Sequence, residues 1–152
     1  MTDHLKKTEK KSKINPNFLN NHKITGVYRA KMVDWIVEVL TAFKCSDQTF
    51  FIAVNIMDRY FSKLNDLVEI DSLTNHSLEL PELHITGIVS MFMASKYEDI
   101  FPLLMKTVVK KIGHDKISDE QVRIKEQEMF KALDFNIGAL PTIYEFLNTY
   151  IH

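Results

Sequence analysis

Residues 28 to 60 decide the fold of this chain, and they read YRAKMVDWIVEVLTAFKCSDQTFFIAVNIMDRY. From Tyr28 to about Phe43, apolar side chains recur every three or four residues, which predicts an amphipathic helix. The apolar face of this helix consists of Met32, Trp35, Ile36, Val39, Leu40 and Phe43. Ser46 or Asp47 can cap a second helix by accepting hydrogen bonds from its free N–H groups. The apolar face of the second helix carries Phe50, Phe51, Val54, Met57 and Phe61.

The composition indicates one soluble domain. The chain has 152 residues, of which 45% are apolar and 26% are charged. Its formal charge is −1, from 19 basic and 20 acidic side chains, so we expect no nucleic-acid partner and no membrane partner. No run of roughly 18 apolar residues and no signal-peptide core is present. Cys45 is the only cysteine, which fits a reducing compartment. The nucleus, the cytoplasm or both are therefore the expected locations.

The remaining helices are predicted from local signals. Residues 1–13 form a flexible Lys-rich tail, which is either a nuclear-import signal or simply a solvated segment. Residues 63–81 alternate polar and apolar positions and are interpreted as a long loop, with or without a helical turn inside it. Pro81 suits the first turn of a third helix, from about Glu82 to Glu98. That helix is apolar or small on almost every side, which is typical of the centre of a bundle.

Three further helical segments complete the predicted fold. A short helix is expected over about 103–112, ending at Gly113 in the left-handed conformation of a C-terminal cap. Ser118 and Gln121 form a capping box that starts a fifth helix. Pro141 opens a last amphipathic segment. No strand pattern occurs, so the fold class is all-α, with five helices around a buried third one and a sixth at the end.

Enzymatic chemistry has no support in the sequence. The six histidines show no metal-ligand spacing, and no cysteine pair exists. The four glycines stand alone, so no phosphate-binding loop is present, and no G-x-S-x-G motif occurs. Cys45 lies at a helix junction within an apolar pattern, which favours a packed thiol over a nucleophile. We expect no catalytic residues, no metal and no cofactor.

A series of short motifs in a fixed order carries a family resemblance. The motifs are residues 14–19 (INPNFL), 24–25 (IT), 29–39 (RAKMVDWIVEV), 50–62, 94–102 (ASKYEDIFP) and 130–137 (FKALDFNI). Together they resemble the first cyclin box of mitotic, A/B-type cyclins. The resemblance places a cyclin N-terminal domain at 14–138, with an insertion near 64–81. It makes residues 139–152 the start of a second box whose remainder is missing. A natural short cyclin, a truncated product and a fragment all stay open.

The resemblance implies roles for two sets of residues. Arg29 and Asp58 would form a structural ion pair between the first two helices. Lys96 and Glu126 resemble the lysine and glutamate through which cyclins grip a cyclin-dependent kinase. The other residues implied in kinase binding are Met93, Tyr97, Glu98, Asp99, Phe130, Phe135 and Ile137. From the residues alone, Lys96 and Glu126 are each interpreted as a solvated surface charge, and the apolar positions could all be core.

The resemblance also implies a surface patch that docks kinase substrates or inhibitors. Its positions are Tyr28, Lys31, Met32, Trp35, Glu38, Leu83 and His84. Tyr28, Lys31 and His84 depart from the family, in which a methionine, an aliphatic residue and a glutamine are common. The patch is therefore more polar than usual, and its specificity is expected to differ. No Arg-x-x-Leu destruction motif is present.

The function that the resemblance implies is regulatory. The chain is expected to bind and activate a cyclin-dependent Ser/Thr protein kinase in cell-cycle control. One alternative is a single-box protein that occupies a kinase without activating it. A second alternative is a cyclin-fold transcription factor, which would be expected to show a basic face.

Overall fold

The computed structural model describes Leu19, His22, residues 24–70 and residues 80–134 of the chain, with side chains over 24–67 and 81–134. Five helices lie within these ranges. They are Gly26–Ala42 (α1), Asp47–Ile70 (α2), Leu80–Glu98 (α3), Met105–Thr107 continued by a π turn over Val108–Ile112 (α4), and Asp119–Ala132 (α5). No strand occurs in this part of the chain. The all-α prediction is confirmed.

Helix α3 is the centre of the bundle and packs against α1, α2, α5 and the π turn. From Thr86 to Ser95 every residue is buried, as the all-round apolar pattern predicts. Its polar side chains are satisfied locally, because Thr86 Oγ1 donates to the Glu82 carbonyl at 2.7 Å and Ser90 Oγ donates to the Thr86 carbonyl at 2.7 Å. Each of these two hydroxyl groups is therefore paired although it is buried.

A glycine lets α1 approach α3 closely. A Cβ atom added at Gly87 would stand 2.5 Å from the Sδ atom of Met32, which is itself part of the core. The small residues that the sequence places on α3 thus set the distance between the two helices. His22, before α1, is held against α2, since its buried ring donates from Nε2 to the Phe61 carbonyl at 2.9 Å.

Helix α2 is longer than predicted. The interpretation of 63–81 as a loop is wrong for residues 63–70, which continue α2 to Ile70, and for 80–81, which begin α3. The reason is that Leu64 and Leu67 extend the apolar spacing of Phe61 and pack on the core. Asn65 is fully buried in the same turn, although its polarity suggested a loop. Residues 71–79 lie outside the described ranges.

Helix α4 also differs from the prediction. The segment over 103–112 is one α turn followed by a π turn, which turns Val108, Val109 and Ile112 into the core. Gly113 does not adopt the left-handed conformation, since its φ is −83°. A glycine is needed there for space, because a Cβ would stand 2.7 Å from Ile117 Cγ1. The prediction of a left-handed cap at Gly113 is therefore wrong.

Two predicted helix starts are confirmed. Ser46 caps α2, because its Oγ accepts a hydrogen bond from the Thr49 amide at 3.2 Å. Ser118 and Gln121 form the capping box of α5, in which the Gln121 amide donates to Ser118 Oγ at 3.2 Å and the Ser118 amide donates to Gln121 Oε1 at 2.8 Å. Each cap satisfies donors that the first turn of a helix leaves free.

Several predictions fall outside the described ranges. They are the tail over 1–13, the segment over 139–152, and the kinase-binding positions Phe135 and Ile137. Within the described ranges, no helix combines the length and apolarity that crossing a membrane requires.

Candidate functional site

Arg29 and Asp58 join α1 to α2. Arg29 Nε donates to Asp58 Oδ1 at 2.8 Å, and Arg29 Nη2 donates to Asp58 Oδ2 at 2.5 Å. The carboxylate is 8% exposed, whereas the guanidinium is 30% exposed. Burial raises the pKa of Asp58, and the Arg29 hydrogen bonds oppose that effect. The two-pronged contact holds the carboxylate in an environment that would otherwise disfavour its charge.

Lys96 and Glu126 meet on the surface between α3 and α5. Lys96 Nζ donates to Glu126 Oε2 at 2.6 Å, and the side chains are 39% and 19% exposed. The same ammonium lies over the ring of Phe92, 4.1 Å from its centroid. Lys96 lies in the last turn of α3, directly after its buried stretch, so its stem is anchored in the bundle while its charge reaches solvent. The structure thus presents both charges on one face.

An exposed apolar run follows Lys96 directly in the chain. Ile100 is 89% exposed, Phe101 is 92% exposed and Leu104 is 67% exposed, and Tyr97 before them is exposed as well. Large apolar side chains left in water at such levels, and this close together in sequence, are typical of an interaction surface. Ile100, Phe101 and Leu104 are absent from the predicted site residues. The signal that could have identified them is an apolar pair that precedes Pro102 and belongs to no helical face.

Asp99 is turned inward and supports this run. Its Oδ1 accepts hydrogen bonds from Thr49 Oγ1 at 2.7 Å and from the Ser46 amide at 3.3 Å. The Leu103 amide donates to Ser95 Oγ at 2.8 Å, which fixes the other end of the run. These contacts tie residues 99–103 to the start of α2 and to α3. The neighbouring Glu98 is exposed.

The Asp99 contact leads to a pH prediction. Burial disfavours the carboxylate, but the hydrogen bonds that it accepts, above all those from Thr49 and the Ser46 amide, together outweigh burial and lower the pKa of Asp99. The carboxylate therefore stabilises the fold above its unfolded pKa of about 3.9, and this contribution is lost as the pH falls through the lower folded value. Thr49→Val should raise the Asp99 pKa and cost about 1 kcal/mol at neutral pH.

NMR titration of the Asp99 carboxyl carbon measures the pKa, and urea unfolding measures the cost. Thr41→Val, at an exposed position near the end of α1, is the matched control and should leave the Asp99 pKa unchanged. An Asp99 pKa that is the same in the Thr49→Val variant would rule out this hydrogen bond as the cause.

The other predicted kinase-binding positions are placed differently. Met93 is only 2% exposed and lies within the core, so it can support a surface but offers none. Phe130 on α5 is half-buried and packs against the same core. From the described part of the predicted set, the structure brings together Lys96 and Glu126 at the surface, and it leaves Tyr97, the residue after Lys96, exposed.

The predicted docking patch is spread from core to surface. Met32 and Leu83 are buried, Tyr28 and Lys31 are exposed, and the Lys31 ammonium lies 5.8 Å from the Tyr28 ring centroid. Glu38 is exposed on the same helix. Met32 and Leu83 therefore belong to the core, and the exposed part of the patch on α1 consists of Tyr28, Lys31 and Glu38.

The aromatic part of the patch is a contact between α1 and α3. Trp35 packs against His84 with a centroid distance of 5.0 Å and an interplanar angle of 32°. Burial, together with the nearby charges of Lys116 and His114, lowers the pKa of His84. The imidazole is thus held neutral, which suits its contact with the indole.

Cys45 has no features of a nucleophile. Burial and the nearby Asp99 carboxylate raise the pKa of its thiol to about 11. The thiol therefore stays protonated at neutral pH, whereas reactive cysteines have lowered pKa values.

Comparisons with known proteins identify the family of this chain. The family described as "Cyclin, N-terminal domain" matches residues 1–138. The G2/mitotic-specific cyclin-A of Patella vulgata is 34% identical over 148 residues, which is 97% of this chain and 32% of the relative. Cyclin-A2 of Xenopus laevis is 33% identical over 148 residues, with coverage of 97% and 32%. The G2/mitotic-specific cyclin-B1 of Oryzias luzonensis is 28% identical over 144 residues, with coverage of 95% and 32%.

The chain thus spans about a third of the length of the curated relatives that it matches, 32% in each of these three. The family match covers most of the sequence and includes every helix described above. The relatives are mitotic cyclins of the A and B types, as the motifs predict. We conclude that this chain belongs to the cyclin family and carries its N-terminal domain.

Proposed function

We propose that this chain is a regulatory subunit, not an enzyme, that binds and activates a cyclin-dependent Ser/Thr protein kinase in cell-cycle control. The observation that carries the proposal is the joint exposure of the Lys96–Glu126 pair and the apolar run that begins at Ile100. We call this surface the α3/α5 face, defined by Lys96, Tyr97, Ile100, Phe101, Leu104 and Glu126. We also propose that the protein is located in the nucleus, the cytoplasm or both.

The α3/α5 face has the composition of a specific interface. Such interfaces combine apolar side chains, which are desolvated on binding, with a few charged anchors. The apolar run provides the first part, since Phe101 and Ile100 are almost fully exposed. Lys96 and Glu126 provide the second, with one donor and one acceptor side by side. Because an exposed ion pair is worth only about 0–1 kcal/mol, redirecting both charges to a partner costs little.

The proposed mechanism is a shift of the kinase's conformational equilibrium. Protein kinases need an ion pair between a strand lysine and a glutamate on their C-helix, which requires the C-helix to be turned inward. A protein that binds only the inward state shifts the equilibrium by its differential affinity for the two states. The α3/α5 face would supply that affinity, and no proton or phosphoryl group passes through the chain itself.

Two alternatives predict different measurements. A chain that occupies a kinase without activating it would bind equally well but leave activity unchanged or reduced. A cyclin-fold transcription factor would bind duplex DNA with a strong salt dependence. Docking of kinase substrates or inhibitors on the patch around Trp35 remains a further part of the proposal, and it does not decide between these alternatives.

Titration calorimetry of the purified chain into a purified cyclin-dependent kinase that carries no other cyclin tests the proposal. We expect saturable binding with one chain per kinase and no binding to a random DNA duplex at physiological salt. An absence of binding to every member of a panel of such kinases would refute the proposal.

A further inference from the structure

A second surface lies away from the α3/α5 face, between α1 and the end of α4. It contains a cavity of about 240 Å³ whose apolar walls include Trp35, Val39, Phe43 and Ile112. Its polar lining consists of Glu38, Lys111 and His114. We call this cavity, together with the lysines of the adjoining segment 106–116, the basic pocket. It shares Trp35 and Glu38 with the predicted docking patch but extends toward the π turn.

The segment that borders the pocket is strongly basic. Residues 106–116 contain the four lysines 106, 110, 111 and 116, all exposed, and a single acidic residue, Asp115. The chain as a whole has a charge of only −1, so this concentration is local. Within the described residues, the ion pairs involve other cations, namely Arg29, Lys96, Arg123 and Lys125. The four lysines therefore keep their charge available to a partner.

The fold explains why these lysines cluster but does not require their charge. The π turn directs Val108, Val109 and Ile112 into the core, which leaves Lys110 and Lys111 facing solvent. Any polar residue would be tolerated at these two solvent-exposed positions. Like charges in adjacent positions repel one another, which is a cost that a binding surface of opposite charge would offset.

We propose that the basic pocket docks a short segment of a partner protein that carries one large apolar side chain followed by acidic residues. The apolar side chain would enter the cavity between Trp35, Phe43 and Ile112. The acidic residues would lie along Lys110 and Lys111. Charge complementarity is the argument for this occupant, because an apolar segment alone would gain nothing from the lysines.

Acidic groups on the same elements set the orientation of the segment. Glu38 lines the pocket from α1, and Asp34 lies one turn earlier on that helix. These carboxylates would repel acidic residues at the α1 side. The acidic part of the segment is thus directed toward the π turn, and a donor group next to the apolar residue would suit Glu38. This docking does not depend on kinase binding, since it uses neither Lys96 nor Glu126.

Fluorescence polarisation with two labelled synthetic peptides of equal length tests the proposal. Both contain one phenylalanine; three glutamates follow it in the first peptide, and three lysines follow it in the second. We expect the whole chain to bind the acidic peptide at least about tenfold more tightly at low salt, with a smaller difference at high salt. Equal affinity for the two peptides would overturn the proposal.

Two charge-reversed variants show whether the effect is local. Lys110→Glu/Lys111→Glu should lose the preference for the acidic peptide, whereas Lys44→Glu/Lys131→Glu, with the same change of net charge at exposed positions elsewhere, should keep it. An equal loss of this preference in both variants would overturn the proposal of a local site. Tighter binding of a DNA duplex than of the acidic peptide would overturn it as well. Lys96→Ala/Glu126→Ala should bind the peptide normally, so this result is independent of the kinase proposal. Circular dichroism confirms that each variant is folded.

Discussion

The double variant Lys96→Ala/Glu126→Ala is expected to bind a cyclin-dependent kinase at least about 30-fold more weakly than the unchanged chain. Central charged anchors of an interface typically contribute about 2 kcal/mol or more, and 1.4 kcal/mol corresponds to a factor of ten in affinity. The two side chains are 2.6 Å apart and both reach solvent, so their removal changes the surface without opening the core. Titration calorimetry with the purified kinase measures the change.

A matched control separates this effect from a general change of charge. Lys31→Ala/Asp34→Ala also removes one positive and one negative exposed side chain, but from α1. It should bind the kinase within about twofold of the unchanged chain. Undiminished binding by the Lys96→Ala/Glu126→Ala variant would exclude this pair as the kinase contact. Equal weakening by both variants would mean that the binding surface is not confined to the α3/α5 face.

Arg29→Met is expected to lower the free energy of unfolding by about 3 kcal/mol. Removing one partner of a buried ion pair leaves an uncompensated charge, which commonly costs about 3–5 kcal/mol. We expect a cost at the lower end of this range because the pair is only partly buried. The Asp58 carboxylate is 8% exposed, whereas the Arg29 guanidinium is 30% exposed. Urea unfolding followed by circular dichroism measures the loss.

Two further variants test the cause of this loss. Arg29→Met/Asp58→Leu removes both charges and should recover most of the stability, because the buried carboxylate is gone. Arg123→Met breaks an exposed pair with Asp119, whose atoms are 4.0 Å apart, and should change stability by no more than about 0.5 kcal/mol. If Arg29→Met were as mild as Arg123→Met, the pair between α1 and α2 would not stabilise the fold.

Much of the fold could be predicted because local and long-range signals agree. The apolar period of α1 and the all-round apolarity of α3 correctly identify an amphipathic helix and a central one. The prediction failed at the end of α2, because buried Asn65 reads as a loop residue while Leu64 and Leu67 continue the helix. It failed at Gly113 because a close approach by Ile117, which sequence does not show, explains the glycine.

Less of the candidate site than of the fold could be predicted from the sequence. Lys96 and Glu126 were identified through the family motifs, and their separation of 2.6 Å emerges only from the packing of α3 on α5. Asp99 lies in the same motif, yet its carboxylate accepts from Thr49, which is 50 positions away in the chain. The burial of Met93 could not be predicted from sequence either. Helix α3 is apolar on every side, so its pattern does not distinguish buried from exposed positions.

Phosphoryl transfer by a purified cyclin-dependent kinase, measured with and without this chain, tests the central claim most directly. We predict that activity toward a substrate peptide rises saturably as the chain is added. We also predict that the rise is largely lost with the Lys96→Ala/Glu126→Ala variant. A kinase that binds the chain but shows no rise would contradict activation, and equal stimulation by the variant would contradict the role of the α3/α5 face.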